Sequence, residues 1–279
     1  MTQAIRTLTP EQAALAVDWA AAEGWNPGLH DLPCFLAQDP GLFLGSFDGA
    51  ELLSVIAATR YGGDFGFIGF YIARPDARGQ GHGMAAWRAG MHQLEGRVVG
   101  LDGVVAQQAN YRRSGFALAW NNVRYGGEPP VLPAPRGHIV PAATIPAGAL
   151  EVLDRQVFPA PRPDFLRRWI AAPSHVALAL VKDGAPAGYG VIRPCRSGNK
   201  IGPLTAATDA DAEAILAALL ERAQPGPVFL DVPQPHAAAV RLAERLGLKP
   251  VFETARMYRG PAPTLPVDRL FGVTSFELG

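Results

Sequence analysis

The chain spells one pattern twice, and that repeat limits its fold more than any single motif does. "YRRSGFALAWNNVRYGG" begins at Tyr111 and "AERLGLKPVFETARMYRG" at Ala243, so that Gly115 and Gly247 stand 132 residues apart. "FDGAELL" and "KDGAPAG" set Asp48–Gly49 and Asp183–Gly184 135 residues apart. "GWNPGLHDL" and "VFPAPRPDF" set Trp25 against Phe158 and Asp31 against Asp164, 133 apart in both cases. Landmarks this widely spaced, agreeing within a few residues, define two copies of one domain plan. A length of 279 residues suits two medium domains, each able to bury a core. Between the copies lies "GGEPPVLPAPRG", whose four prolines and three glycines can continue neither helix nor strand. The expected division is a first domain over residues 1–127, a linker over 128–137 and a second domain over 138–279.

Period and punctuation outline the first copy. "TPEQAALAVDWAAAEG" reads as a helix starting near Thr9–Pro10 and stopped by Gly24, with Leu15, Trp19 and Ala22 on one face. "GLFLGSF" and "ELLSVIAATR" read as strands of a hairpin turning at Asp48–Gly49, and "FGFIGFYIA" as a third strand. A helix in "GMAAWRAGMHQL", a strand in "RVVGLDGVV", a short helix in "QQANYRRSG" and a strand in "FALAWNNVRYG" complete the copy. The closing "RLFGVTSFELG" alternates like a strand that could complete a sheet or close over the cleft between the copies.

Charge and cysteine usage exclude several classes. With 25 basic and 25 acidic side chains the formal net charge is zero, so no overall field draws the chain to nucleic acid or an anionic membrane. Any anion must be held locally. Cys34 and Cys195 stand far apart, and the six histidines show no ligand spacing, which argues against a disulfide framework or a metal site. The N-terminus lacks a signal pattern and no apolar run approaches the ~20 residues that cross a bilayer, so a soluble, cytoplasmic protein is expected.

The third strand leads straight into "RPDARGQGHGMAAW", with glycines at 79, 81 and 83, and then into a helix. A strand, a glycine-rich turn and a helix start together offer bare backbone N–H groups and the positive end of a helix dipole to an anion. The dinucleotide pattern fails because Met84 takes the place of its third glycine, and the P-loop pattern fails because no Gly-Lys-Ser/Thr follows. Arg-x-x-Gly-x-Gly remains, with Arg78 as the cation a phosphate would want.

On these residues the chain resembles the GNAT-type N-acetyltransferases. The family's Arg/Gln-x-x-Gly-x-Gly/Ala pattern falls on Arg78, Gly81 and Gly83, and its Val-x-Pro on Ala73 and Pro75, with alanine replacing valine. Its tyrosine four residues before a Gly-Phe pair falls on Tyr111. The likeness is strongest over roughly the first 125 residues, and the whole chain is similar to two-domain bacterial acetyltransferases whose second half is a divergent GNAT domain. The fold so implied is α/β, with an α+β mixed sheet: tandem GNAT folds, each a mostly antiparallel sheet with a central parallel strand pair flanked by helices. The activity implied is acetyl transfer from acetyl-CoA, a cosubstrate, to an amine in a ternary complex, without metal.

The resemblance implies roles for the candidate residues. Arg78, Gly79, Gln80, Gly81, His82 and Gly83 would surround the pyrophosphate, with Asn110 also on the cofactor side. Ile72 and Ala73 would pair with the pantetheine amides and donate to the oxyanion. Tyr111 would protonate the leaving thiolate. Asp102 ends the strand parallel to the third and is a candidate general base, equally readable as a turn residue before Gly103. Trp25 and Asn26 would line the acceptor side. Asp31 reads more simply as a helix cap, because Asp164 matches it in the other copy.

Four residues before Gly247 stands Ala243, so the second copy lacks the tyrosine. Its counterpart of the glycine loop is "TDADAE", whose Thr208 or Asp209 would cap its own helix and whose acids oppose a pyrophosphate. One CoA site per chain is therefore expected, with the second domain shaping the acceptor pocket or a homodimer contact. Glu277 stands out as a carboxylate able to recognise an amine. A small-molecule amine is a better expected acceptor than a protein. The competing readings are a non-catalytic acyl-CoA-binding or regulatory module and a nucleotide-dependent enzyme using the same loop.

Overall fold

The structure, a computed structural model, describes residues 3–279. The first copy runs β1 (Gln3–Thr7), α1 (Pro10–Ala22), α2 (Asp31–Gln38), β2 (Phe43–Asp48), β3 (Glu51–Tyr61), β4 (Phe65–Ala73), α3 (His82–Gln93), β5 (Val98–Val104), α4 (Gln108–Arg113) and β6 (Ala117–Gly127). The same order returns as β7 (His138–Pro141), α5 (Ala147–Val157), α6 (Pro163–Ile170), β8 (Val176–Lys182), β9 (Ala185–Pro194), β10 (Asn199–Ala206), α7 (Asp209–Leu220), β11 (Val228–Pro233), α8 (Ala237–Arg245) and β12 (Lys249–Arg259). A short β13 (Leu270–Gly272) follows, so only the start of the closing segment is a strand.

Helix α1 starts where its sequence predicts. Thr9 Oγ1 accepts from the Gln12 N–H while the Gln12 side chain accepts from the Thr9 N–H, a reciprocal cap that satisfies two otherwise orphaned donors. Its buried face is not the one that carries Leu15. Ala13, Ala16, Val17 and Ala20 face inward, whereas Leu15 is 46% exposed. Small side chains let the helix approach the sheet closely; Leu15 is turned outward, while Trp19 packs partly buried against the same core. Strand β1 was not foreseen from the sequence; five residues pairing along the edge of β2 carry too little alternation to announce themselves.

All the strands join one mixed sheet, ordered β1-β2-β3-β4-β5-β12-β6-β11-β10-β9-β8-β7, with β13 on β10. The copies exchange their last long strands. β12 lies against β5, β6 lies against β11, and the two exchanged strands pair antiparallel at the centre. A matched pair of buried ion pairs fixes the exchange. Arg124 donates to both oxygens of Asp231 at 2.6 and 2.8 Å, and Arg256 to both oxygens of Asp102 at 2.7 and 2.6 Å. Stranding one member of such a pair costs about 3–5 kcal/mol, so a register that separates them is strongly disfavoured.

Helices α1, α2, α5 and α6 share one apolar layer across both copies. Phe35 of α2 stacks on Trp169 of α6 at 6.2 Å, and Trp169 on Phe165 at 4.9 Å. The other face holds separate cores, one beneath α3 and α4 around Trp87 and one beneath α7 and α8 around Leu216 and Leu242. Among the described residues no helix is long and apolar enough to cross a membrane.

Candidate active site

Strands β4 and β5 pair in parallel from Phe65 with Val98 to Ile68 with Leu101, and no farther. Just beyond, the register with β3 shifts and Phe70 takes a φ of +47°. A left-handed phenylalanine is strained by roughly 1–3 kcal/mol and needs surrounding packing to hold it. Here the Phe70 ring contacts Phe35 and Phe43 edge-on at 5.9 and 5.2 Å. The bulge parts the two strands, and a cavity of about 440 Å³ opens between them. Its walls include Trp25, Tyr71, Ile72, Ala73 and Tyr111 from the first copy, and Phe252, Phe276 and Glu277 from the second.

The glycine loop stands at the mouth of this cavity. Gly79 and Gly81 hold φ of +77° and +90°, and a Cβ at either would meet nothing within 4 Å. Glycine is therefore required here by backbone conformation, and the surface of the loop is open. Helix α3 begins at His82 with Gly81 as its N-cap and no side-chain cap, leaving its first N–H groups for a ligand. Arg78 donates to the Ala73 carbonyl at 3.0 Å and pairs with Glu23 while half-exposed. Such an ion pair is worth about 1 kcal/mol or less, so the guanidinium can be exchanged onto a phosphate at little cost. Gln80 donates to the Asp76 carbonyl at 2.6 Å, and His82 Nδ1 lies 3.0 Å from Ser46 Oγ. An uncapped helix start beside an exchangeable arginine fits a diphosphate, and the unpaired β5-facing edge of β4 fits an amide-bearing arm.

Tyr111 projects from α4 into the same cavity, buried to 8% exposure. Its ring lies 5.7 Å from Trp87, which lies 5.2 Å from Tyr71. Burial pushes the Tyr111 phenol up to about 12, and burial raises Tyr71 as well, so both hydroxyls remain donors at neutral pH. Tyr71 was missed in the sequence. The repeat held the signal, since aligning Gly69 with Gly202 sets Tyr71 against Leu204.

The remaining candidates are divided. Ile72, Ala73, Arg78 and Trp25 line the cavity, and Gly83 packs at its edge, where a Cβ would come within 3.2 Å of the Tyr71 hydroxyl. Asp102 also lines it, but its oxygens are taken by Arg256 and by Asn122 Nδ2 at 2.8 Å. Burial pushes its carboxyl up against the pull of Arg256. The geometry gives Asp102 a cohesive place rather than a free basic oxygen. Asn26 does not line the cavity; its amide closes two 2.9 Å hydrogen bonds with the backbone of Ser197 and ties the copies together. Asn110 is exposed on α4 and bonded to Gln107 and Arg113. Asp31 is no simple cap. It accepts from Gly28 N–H and from Arg193 Nε at 3.0 Å, and it is buried, whereas Asp164 is exposed.

The second copy meets the same geometry differently. Strands β10 and β11 pair from Asn199 with Val228 to Ile201 with Leu230, ending at the counterpart of Ile68. There the chain's own β13 enters the gap, with Leu204 against Gly272 and the Val273 N–H donating to the Asp231 carbonyl at 2.8 Å. Helix α7 is capped by Thr208, whose Oγ1 accepts from the Asp211 N–H at 3.2 Å, and Asp209 and Asp211 occupy its first turn. Ala243 is fully buried where the first copy has Tyr111.

Residues 150–272 match the family model of the acetyltransferase (GNAT) domain. The holothin acyltransferase of Pseudoalteromonas sp. (strain SANK 73390) is 28% identical over 275 residues, which cover 96% of this chain and 92% of that protein. Among solved structures, a candidate acetyltransferase from Pyrococcus horikoshii superposes with a TM-score of 0.83 at 20% identity, covering 99% of this chain and 96% of that one. A tandem GNAT protein from the clavulanic acid biosynthesis pathway superposes at 0.63 with 14% identity, covering 94% and 100%. The second half thus matches the GNAT domain model, and the chain has the tandem GNAT fold over its length. The family is one of acyltransferases that draw on acyl-CoA. The family match lies on the second copy, whereas the glycine loop lies on the first.

Proposed function

We propose that the chain moves an acetyl group from acetyl-CoA to the nitrogen of a small amine, at one site per chain, in the first copy, with both substrates bound together. The asymmetry between the copies supports this reading. At β4 the parted strands lead to an uncapped helix start and a buried phenol, while at β10 the gap holds β13, the helix is capped by Thr208, and the phenol is replaced by Ala243. Arg78 and the N–H groups beyond Gly79 would hold the diphosphate. The β4 edge at Ile72 and Ala73 would pair with the arm and donate to the carbonyl oxygen. The bound thioester supplies an activated acyl carbon. Tyr111, still protonated at pH 7, holds the proton that a departing thiolate of pKa ~8.5 takes up.

A cavity of about 440 Å³ suits a small acceptor better than a protein chain. Holothin is the first acceptor to test, because the relative sharing most of the chain's length is named for it. Cys34 and Cys195 are buried free thiols, in keeping with a cytoplasmic setting. The test follows free thiol from acetyl-CoA in the presence of holothin and an amine panel. Tyr111→Phe is expected to lower kcat about 100-fold or more while keeping CoA affinity. If the wild type binds CoA and none of these acceptors accelerates thiol release, the chain is an acyl-CoA-binding module instead.

A further inference from the structure

Beyond β13 the tail runs from one bulged strand to the other. A Cβ on Gly202 of β10 would collide with the Val273 carbonyl oxygen, and a Cβ on Gly69 of β4 would collide with the Glu277 carbonyl oxygen. Both strands are glycine at these points because the tail backbone lies directly on them. The segment is locked in place. Arg162 donates to Thr274 Oγ1 at 2.9 Å, Tyr61 Oη to the Leu278 carbonyl at 2.9 Å, and Ser275 Oγ accepts from the N–H groups of Glu277 and Leu278 at 3.1 Å each. These anchors carry Glu277, from the end of the second copy, into the cavity of the first.

The Glu277 side chain is 4% exposed, and its Oε2 is buried with no hydrogen-bond partner. A buried carboxylate oxygen without a donor is costly, and because Glu277 lines the cavity, a ligand that fills the cavity is placed to supply one. Arg124, Arg193 and Lys200 feel the charge of Glu277 but make their hydrogen bonds elsewhere. Arg124 of β6 is forked onto Asp231 of β11, Arg193 of β9 donates to Asp31 of α2, and Lys200 of β10 donates to the Trp25 carbonyl at 3.2 Å. The walls beside Glu277 are aromatic: Trp25, Phe252 and Phe276, the last two with ring centroids 6.3 Å apart.

We infer that Glu277 receives the ammonium group of the acceptor and takes its first proton, and that the acceptor is a primary amine carried on a flat apolar body seated against these rings. This rests on the acyltransfer reading above. The protons balance. Glu277 removes one from the ammonium, freeing the nitrogen pair that forms the C–N bond to the thioester carbon. As the C–S bond breaks, Tyr111 gives its proton to the departing sulfur and regains one from the nitrogen. The third stays on the amide, and Glu277 returns its own to solvent. The sequence had singled out Glu277 without a place for it; its place depends on a tail that crosses between the copies.

Phenethylamine and its neutral counterpart phenethyl alcohol serve as probes, titrated by calorimetry into the full-length protein saturated with CoA. The wild type is expected to bind the amine at least 10-fold more tightly than the alcohol. Glu277→Gln is expected to weaken the amine at least 10-fold, leaving the alcohol and CoA within about twofold. Glu277→Asp, with the charge kept, is expected to restore part of the preference. Equal binding of amine and alcohol by the wild type, or a parallel loss of both in Glu277→Gln, overturns the inference. The two readings fail distinguishably: turnover with an unaffected Glu277→Gln sinks only this inference, whereas an amine preference lost in Glu277→Gln without any turnover sinks the acyltransfer reading together with the proton step and leaves the ammonium site standing.

Discussion

At the scale of single residues, Asp102 and Tyr111 show how much a side chain's partners decide. Both line one cavity, but Asp102 is drawn into the pairing that closes the sheet and Tyr111 is not. Asp102→Asn leaves Arg256 buried against a neutral partner. It is expected to lower the unfolding free energy by about 3–5 kcal/mol in a urea titration. The folded fraction should keep kcat within a few-fold. Unchanged stability with a collapse in kcat would instead make Asp102 the proton acceptor. The repeat held a signal for this role too, since Asp231 follows Asp102 by 129 residues and Arg256 follows Arg124 by 132. An aspartate and an arginine that recur at matching places in an open and a closed copy point to cohesion rather than chemistry.

At the scale of elements, the two helix starts make opposite uses of the same position. Gly81 leaves α3 open, and Thr208 closes α7 with its own side chain. Gly81→Val puts a β-branched residue at a φ of +90° and a side chain over the exposed N–H groups, so CoA affinity is expected to fall at least 10-fold in calorimetry. Thr208→Ala is expected to cost about 1 kcal/mol of stability and to leave CoA affinity unchanged. Equal effects of the two on CoA binding would mean that both helix starts hold ligand. These starts were legible because caps and left-handed glycines are local. The inner face of α1 was not legible because burial of Ala13 and Ala16 over Leu15 is decided by the sheet beneath, not by the helix itself. Asn26 was misplaced for a similar reason, its partner Ser197 lying in the other copy.

At the scale of the whole molecule, the repeat and the linker could be read from spacing, but the exchange of β6 and β12 could not. Which strand a strand pairs with depends on contacts more than 100 residues distant, such as Arg124 with Asp231, and both copies present the same pattern to either partner. The exchange makes the halves one body and lets a single tail serve both, with β13 filling the gap in the second copy and Glu277 reaching into the first. The central claim is that only the open gap holds the cosubstrate. A calorimetric titration of the intact protein with CoA, paired with hydrogen-exchange mapping of the complex, tests it directly. The account predicts one CoA per chain, with new protection over residues 78–84 and none over 206–213. Two equivalents per chain, or protection centred on the start of α7, would contradict it.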